Sequence, residues 1–211
     1  MPLHSRAHIA VFARAPELGK VKTRLIPALG AESALGLYTA MLDRILSLVK
    51  VSGLAPMSLW VTSNPSHEKF ITYCSEREIY LQYGADLGQR MAHCFAEQLS
   101  KPDTDYLVLI GTDCPALTKD YLQAALTALQ GGQDCVLGPA RDGGYVLIGL
   151  RRPIPALFQD IDWSTSRVLV QTLDRIASLE LRLTLLEEQW DVDESADLAL
   201  LATLQPPLSW P

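Results

Sequence analysis

Short runs rich in β-branched and apolar residues alternate along this chain with longer stretches in which apolar positions recur every three or four residues. That alternation predicts an α/β fold: a mostly parallel sheet covered by helices on both faces. His8 to Ala13 (HIAVFA) reads as the first strand. A helix follows from about Ala31 to Lys50, in which Leu35, Tyr38, Leu42, Ile45, Leu46 and Val49 share one face, as packing on a sheet requires. Met57 to Thr62 reads as a strand, Ser66 to Arg77 as a helix, Ile79 to Tyr83 as a short strand and Asp86 to Leu99 as a helix. Asp105 to Ile110 (DYLVLI) has the strongest central-strand character, with four successive apolar residues, and stops at Gly111. A helix over Tyr121 to Leu129 precedes two strands, Asp134 to Pro139 and Tyr145 to Leu150, which bracket the loop Ala140 to Gly144. Ser164 to Ala177 reads as a helix, Leu181 to Leu186 as a strand and Glu194 to Leu204 as a closing helix before Pro206 and Pro207. No repeat, linker or low-complexity tract divides the pattern, so residues 1–211 are expected to form one domain.

Charge narrows the set of partners. A formal net charge of −6 argues against a general nucleic-acid surface, which needs excess Lys and Arg, so any phosphate site must be local. His4, Arg6, His8 and Arg14 interrupt the opening segment where an export signal needs an apolar core, and no stretch is apolar for long enough to span a bilayer. Cys74, Cys94, Cys114 and Cys135 are dispersed, without a C-x-x-C pair or a histidine at zinc-finger spacing. Reduced, buried thiols and a cytoplasmic location are expected.

Against this acidic background, the first loop gathers Arg14, Lys20, Lys22 and Arg24 around Gly19, immediately after a strand. Cations there supply donors to phosphoryl oxygens, and open α/β sheets bind ligands beyond the carboxyl ends of their strands. The loop matches neither the P-loop nor the dinucleotide glycine pattern. Gly111-Thr112-Asp113-Cys114-Pro115 places a carboxylate just past the most apolar strand, suited either to a divalent cation or to hydrogen-bonding its own turn. Trp190-Asp191-Val192-Asp193 alternates two carboxylates across a hydrophobic residue, so that an extended backbone projects both to one side; Asp193 competes for a second role as a helix cap. In Asp142-Gly143-Gly144-Tyr145 the paired glycines imply a hairpin turn or a close approach to a ligand. Asp162-Trp163, followed by Ser164, Thr165 and Ser166, combines a carboxylate, a stacking surface and hydroxyls that would hold an acceptor or cap the next helix. His93 and Cys94 read as packing residues on a helix rather than as catalytic ones.

Taken in order, KVKTRL (Lys20 to Leu25), DLGQRM (Asp86 to Met91), GTDCP, PARDGGYVLIGL (Pro139 to Leu150), IDWSTSRVL (Ile161 to Leu169) and DVDESADL (Asp191 to Leu198) resemble a bacterial family of glycosyltransferase type A-like proteins, labelled arsenosugar-biosynthesis-type glycosyltransferases. The match extends over nearly the whole chain. That family is similar in turn to the nucleotide-diphospho-sugar transferase superfamily, including the 2-phospho-lactate guanylyltransferases, whose first loop carries a Lys-x-Arg-Leu-like segment. The resemblance implies a three-layer Rossmann-like fold with a mixed, mostly parallel sheet. It implies that Lys20, Lys22 and Arg24 approach phosphates and that Asp113 ligates Mg²⁺ or Mn²⁺, with Asp193, or alternatively Asp191, as the second ligand. Arg14, Gly111 and Thr112 complete the nucleotide side. Many type A glycosyltransferases carry Asp-x-Asp where this chain has Asp113-Cys114-Pro115, so a distant second carboxylate is needed.

Three functions follow. Glycosyl transfer from a nucleotide sugar to a small-molecule acceptor leads, with Asp142 or Asp162 as an acceptor-side base. Nucleotidyl transfer from a nucleoside triphosphate to a phosphorylated small molecule, releasing pyrophosphate, is the alternative that four loop cations favour. A nucleotide or sugar sensor without turnover is the third.

Overall fold

The computed structural model describes residues 3–210. Seven strands form one sheet: β1 (Ala7–Ala13), β2 (Met57–Val61), β3 (Ile79–Leu81), β4 (Tyr106–Ile110), β5 (Cys135–Pro139), β6 (Tyr145–Leu150) and β7 (Leu183–Leu185). Their spatial order is β3-β2-β1-β4-β6-β5-β7, and only β6 runs antiparallel to its neighbours. The sheet is therefore mixed and mostly parallel, as the alternating pattern predicts. The described residues form six α-helices: α1 (Ile26–Leu29), α2 (Ala31–Ser52), α3 (Glu68–Tyr73), α4 (Leu87–Leu99), α5 (Lys119–Gln130) and α6 (Val168–Ser178).

Strand β1 shows why the sheet must be covered twice. Ile9, Val11 and Ala13 enter the core beneath α2, α3 and α5, whereas Ala10 and Phe12 enter the core that contains Met91 and Phe95 of α4 and Ile176 of α6. Each fully buried leucine in these layers stabilises the fold by about 2 kcal/mol relative to an exposed one. Helix α2 buries more than the one face read from its periodicity. Tyr38, Leu42, Ile45, Leu46 and Val49 pack on the sheet, while Leu37 and Met41 pack on a third cluster with Val192, Leu201 and Leu204. Leu35 is only partly buried.

Several predicted elements are shorter or different. The helix expected over residues 66–77 is cut to α3, because Cys74 turns to extended backbone and Ser75 and Glu78 form their own capping box. The helix expected from Ser164 starts at Val168, because Ser164 has φ 65°, left-handed backbone that no helix propagates. The closing helix is a 3-10 helix, Ser195–Thr203. With three residues per turn, Leu198, Leu201 and Leu204 line up on one stripe against the third cluster. Both edge strands, β3 and β7, span three residues, fewer than their apolar runs suggest, which leaves little unpaired edge.

Candidate active site at the switch point of the sheet

Strands β1 and β4 are adjacent, and the chain order runs outward from them in opposite directions. Ligands in open α/β sheets bind at such a reversal, beyond the carboxyl ends of the strands. The loop after β1 carries Arg14 to Arg24 and the loop after β4 carries Gly111 to Pro115, so two of the segments singled out in the sequence meet there.

Their meeting is specific. Lys22 has φ 46°, an uncommon left-handed conformation for a residue with a Cβ, costing about 1–3 kcal/mol. Its carbonyl accepts the Leu25 amide at 2.9 Å, starting the 3-10 turn Thr23–Leu25, and its side chain is only 4% exposed. Lys22 Nζ lies 2.7 Å from Oδ1 of Asp113 and 2.9 Å from Oδ1 of Asp193, and it donates to the Val192 carbonyl at 2.6 Å. Burial opposes the ammonium, but the two carboxylates outweigh it and hold its pKa above the ordinary lysine value.

Asp193 arrives from a distant part of the chain. The Val192 amide donates to the Asp113 carbonyl at 2.9 Å, and the Val192 side chain is fully buried in the third cluster. This anchor sets the carboxylates on either side of it. Asp193 does not cap the following turn: Glu194 is its N-cap, in a capping box with Asp197, whose carboxylate accepts the amides of Asp193 at 2.9 Å and Glu194 at 2.7 Å. The competing capping role read from the sequence is thereby overturned, and the Asp193 carboxylate is left for Lys22 and, at 3.9 Å, for Arg24.

The other acids flank this pair. Asp191 is pushed up to about 6, first by burial and then by the charges of Asp142, Asp193 and Asp113. Asp142 accepts the Gly144 amide at 2.8 Å, and so stabilises its own turn. The reason for the first of the paired glycines is now visible. A Cβ on Gly143, which has φ 87°, would lie 2.2 Å from the Ser166 carbonyl oxygen, and the Leu169 amide donates to the Gly143 carbonyl at 2.8 Å. The close approach is to the chain itself. Asp162 is engaged by Gln171, which donates at 2.5 Å, and by Arg167 at 3.0 Å, so its carboxylate braces the entry to α6. Beside it, the Trp163 ring leaves no room for a Cβ on Gly88, which joins the DLGQRM and IDWSTS segments. Ser164 makes no cap for α6, whose N-cap position is held by Arg167.

Of the four loop cations, Lys20 pairs with Glu17 at 2.7 Å at the surface and Lys22 is enclosed, whereas Arg14 and Arg24 remain exposed. Gly111 has open space where a Cβ would stand, and Thr112 is buried. Two residues escaped the sequence reading. Tyr38 Oη holds the backbone of Arg14 from both sides, donating to its carbonyl and accepting its amide at 2.8 Å each; burial and then Asp113 push its phenol up to about 12. Arg44 donates to the Pro115 carbonyl at 2.7 Å. Both sit on α2, where sequence periodicity shows only a packing helix. Two surface grooves, of about 510 and 460 Å³, involve none of these acids or loop cations.

Donor chemistry fits a hard divalent cation. Oδ1 of Asp113 is buried without a hydrogen bond in a favourable direction, and with Oδ1 of Asp193 and the Val192 carbonyl it surrounds one cationic point. Among the described residues no three His, Cys, Asp or Glu side chains converge at metal-binding geometry, so the remaining positions would fall to water or ligand oxygens.

The site can now be set beside known proteins. A "putative nucleotide-diphospho-sugar transferase" of Desulfovibrio desulfuricans G20 superposes with a TM-score of 0.85 at 33% identity, over 94% of this chain and 87% of that one. The 4-diphosphocytidyl-2C-methyl-D-erythritol synthase of Anaerococcus prevotii DSM 20548 superposes with a TM-score of 0.59 at 13% identity, covering 96% and 98% of the two chains. A CMP:2-keto-3-deoxy-manno-octonic acid synthetase in complex with CTP gives 0.55 at 12% identity, covering 96% and 99%. These last two show a shared fold. No curated protein matches the sequence. The architecture is that of the nucleotide-diphospho-sugar transferases, and, with residues 45–165 matching its profile, the chain belongs to the family described as "Uncharacterized protein conserved in bacteria (DUF2064)".

Proposed function

We propose that this chain is a metal-dependent transferase that takes a nucleotide sugar as donor and passes the glycosyl group to a small-molecule acceptor, as the resemblance to glycosyltransferase type A-like proteins implies. The observation that carries this reading is the convergence of Asp113 and Asp193 on one cationic point at the switch of the sheet. The 33% identity to the Desulfovibrio protein supports the same substrate class.

In this reading, Asp113 and Asp193 hold Mg²⁺ or Mn²⁺, which would neutralise the charge that develops on the departing diphosphate. Arg24, exposed beside Asp193, and Arg14, held by Tyr38 at the end of β1, offer guanidinium donors to the same phosphates. The acceptor oxygen bonds to the sugar carbon as that carbon's bond to the diphosphate breaks. Asp142 keeps one oxygen on the Gly144 amide and takes the hydroxyl proton on the other. Asp162, tied to Gln171 and Arg167, shapes the acceptor side instead of exchanging a proton.

The loop charge bears on the choice of chemistry. Four cations would suit a triphosphate, but Lys20 pairs with Glu17, Lys22 with Asp113 and Asp193, and Arg24 stands 3.9 Å from Asp193, so the positive charge on offer suits a diphosphate better. The test is to incubate the protein and Mg²⁺ or Mn²⁺ with nucleotide sugars, nucleoside triphosphates, and hydroxyl and phosphorylated acceptors. Release of nucleoside diphosphate is expected. Pyrophosphate release would replace this reading with nucleotidyl transfer, and ligand-induced stabilisation without turnover would replace it with sensing.

A further inference from the structure

Lys22 is enclosed in a way that no phosphate-binding lysine needs to be. An ammonium has three N–H groups, and three oxygens, from Asp113, Asp193 and Val192, lie within 2.9 Å of this one. Two of these oxygens, of Asp193 and Val192, accept its hydrogen bonds, and Asp113 Oδ1 faces it as a charge partner. The same three oxygens are the set a divalent cation would use, and the ammonium stands where that cation would stand. The side chain is 4% exposed while the two carboxylates are 48% and 44% exposed, so a ligand reaches the acids from solvent before it reaches the lysine.

We infer that Lys22 is a tethered counter-ion that occupies the cation cradle until a phosphate-bearing ligand draws it out, so that divalent metal and phosphates bind as a coupled pair. A metal ion arriving alone must force a buried cation out of its oxygens and then sit beside it, which like charge opposes. A phosphate arriving alone meets Asp113 and Asp193. When both arrive, the ammonium exchanges carboxylate for phosphate and the metal takes the vacated oxygens, so that no charge is left unpaired. Left-handed backbone at Lys22 fixes where the tether begins, on the loop that would close over the phosphates. Coupling of this kind is reciprocal: metal tightens phosphate binding by the factor by which phosphate tightens metal.

This inference rests on the metal-site reading above, and one experiment separates the two. Mn²⁺ binding is measured by calorimetry, alone and with a nucleoside diphosphate, for the parent, Lys22→Met and Lys22→Arg. In the parent, Mn²⁺ alone is expected to bind weakly and Mn²⁺ with the diphosphate at least about fivefold more tightly than solution pairing of the two predicts. Lys22→Met, with the tethered cation gone, is expected to bind Mn²⁺ alone at least about fivefold more tightly than the parent, with the coupling abolished; Lys22→Arg keeps the parent's weak binding. Lys22→Met leaves two acids facing each other, so its melting temperature is followed as well, and Mn²⁺ is expected to raise it more than it raises that of the parent. If the parent binds Mn²⁺ with the diphosphate but Lys22→Met neither binds Mn²⁺ more tightly nor is stabilised more by it, the counter-ion role is overturned and the metal site stands. If none of the three proteins binds Mn²⁺ in either condition, the metal site itself is wrong.

Discussion

Asp113 concentrates the case for chemistry at a single residue. One of its oxygens faces Lys22 and the rest of its carboxylate is open to solvent, so Asp113→Asn removes a charge while keeping the shape. We expect metal-dependent nucleotide binding to weaken by about tenfold or more, in line with what a charged pair contributes when it is partly buried. Calorimetry in the presence and absence of Mg²⁺ checks this, and an unchanged metal dependence would remove Asp113 from the site. The residue was legible in the sequence because an acid after an apolar strand is a local signal. What Lys22 does was not legible, since its partner Asp193 lies 171 positions away and only the fold shows that the two acids share one cation. Local spacing also hid the answer at Asp193, where the cap turned out to be Glu194, in a capping box with Asp197.

Helix α2 illustrates what a periodicity reveals about an element and what it omits. Its sheet-facing stripe was readable from the 3.6-residue period, but Leu37 and Met41 lie off that stripe and wait for the C-terminal segment to cover them. The same hidden face holds Arg44, whose guanidinium reaches three carbonyls: Pro115 at 2.7 Å, Pro206 at 2.9 Å and Gln205 at 3.3 Å. Arg44 thus ties the loop bearing Asp113 to the tail. Arg44→Ala is expected to cost about 2 kcal/mol, because these charge-assisted bonds are lost and a carbonyl at the loop is left without a donor. Urea denaturation measures it, and a change below about 0.5 kcal/mol would show that the tail and loop hold without this tie. Two of the elements that the sequence misplaced share one cause. The starts of α6 and the length of α3 were set by single backbone conformations at Ser164 and Cys74, which leave no trace in hydrophobic spacing.

At the scale of the whole molecule, stability should respond to acid through a residue far from the candidate site in function. His8 on β1 bonds Ser58 Oγ at 2.9 Å between strands, and its imidazole is pushed down to about 4, first by burial and then by the charge of Lys101. Unfolded chain takes up a proton below about pH 6.5 that the fold refuses until about pH 4. His8 therefore lowers stability progressively as pH falls through that window, by up to about 3 kcal/mol in total, and has no such effect above it. Comparison of His8→Gln with the parent by denaturation from pH 7 to pH 4 isolates this contribution; we expect the parent to lose more stability, and parallel curves would contradict the burial argument. The overall architecture, by contrast, was legible from alternation alone, since a three-layer sheet leaves its imprint on every strand and every covering helix.

Val192 carries a consequence for how this molecule comes into being. It is one small apolar side chain, seated between α2 and the closing 3-10 helix, and it delivers both Asp191 and Asp193. On a growing chain, β1 to β6 and all of Lys22, Arg24 and Asp113 are made before residue 151, yet Lys22 then faces a single carboxylate. The pair of carboxylates at the switch point is assembled only when the segment carrying Asp193 has packed. The candidate site thus depends on the packing of a segment remote from its first loop, and its ligand affinity is expected to report whether Val192 is seated against α2.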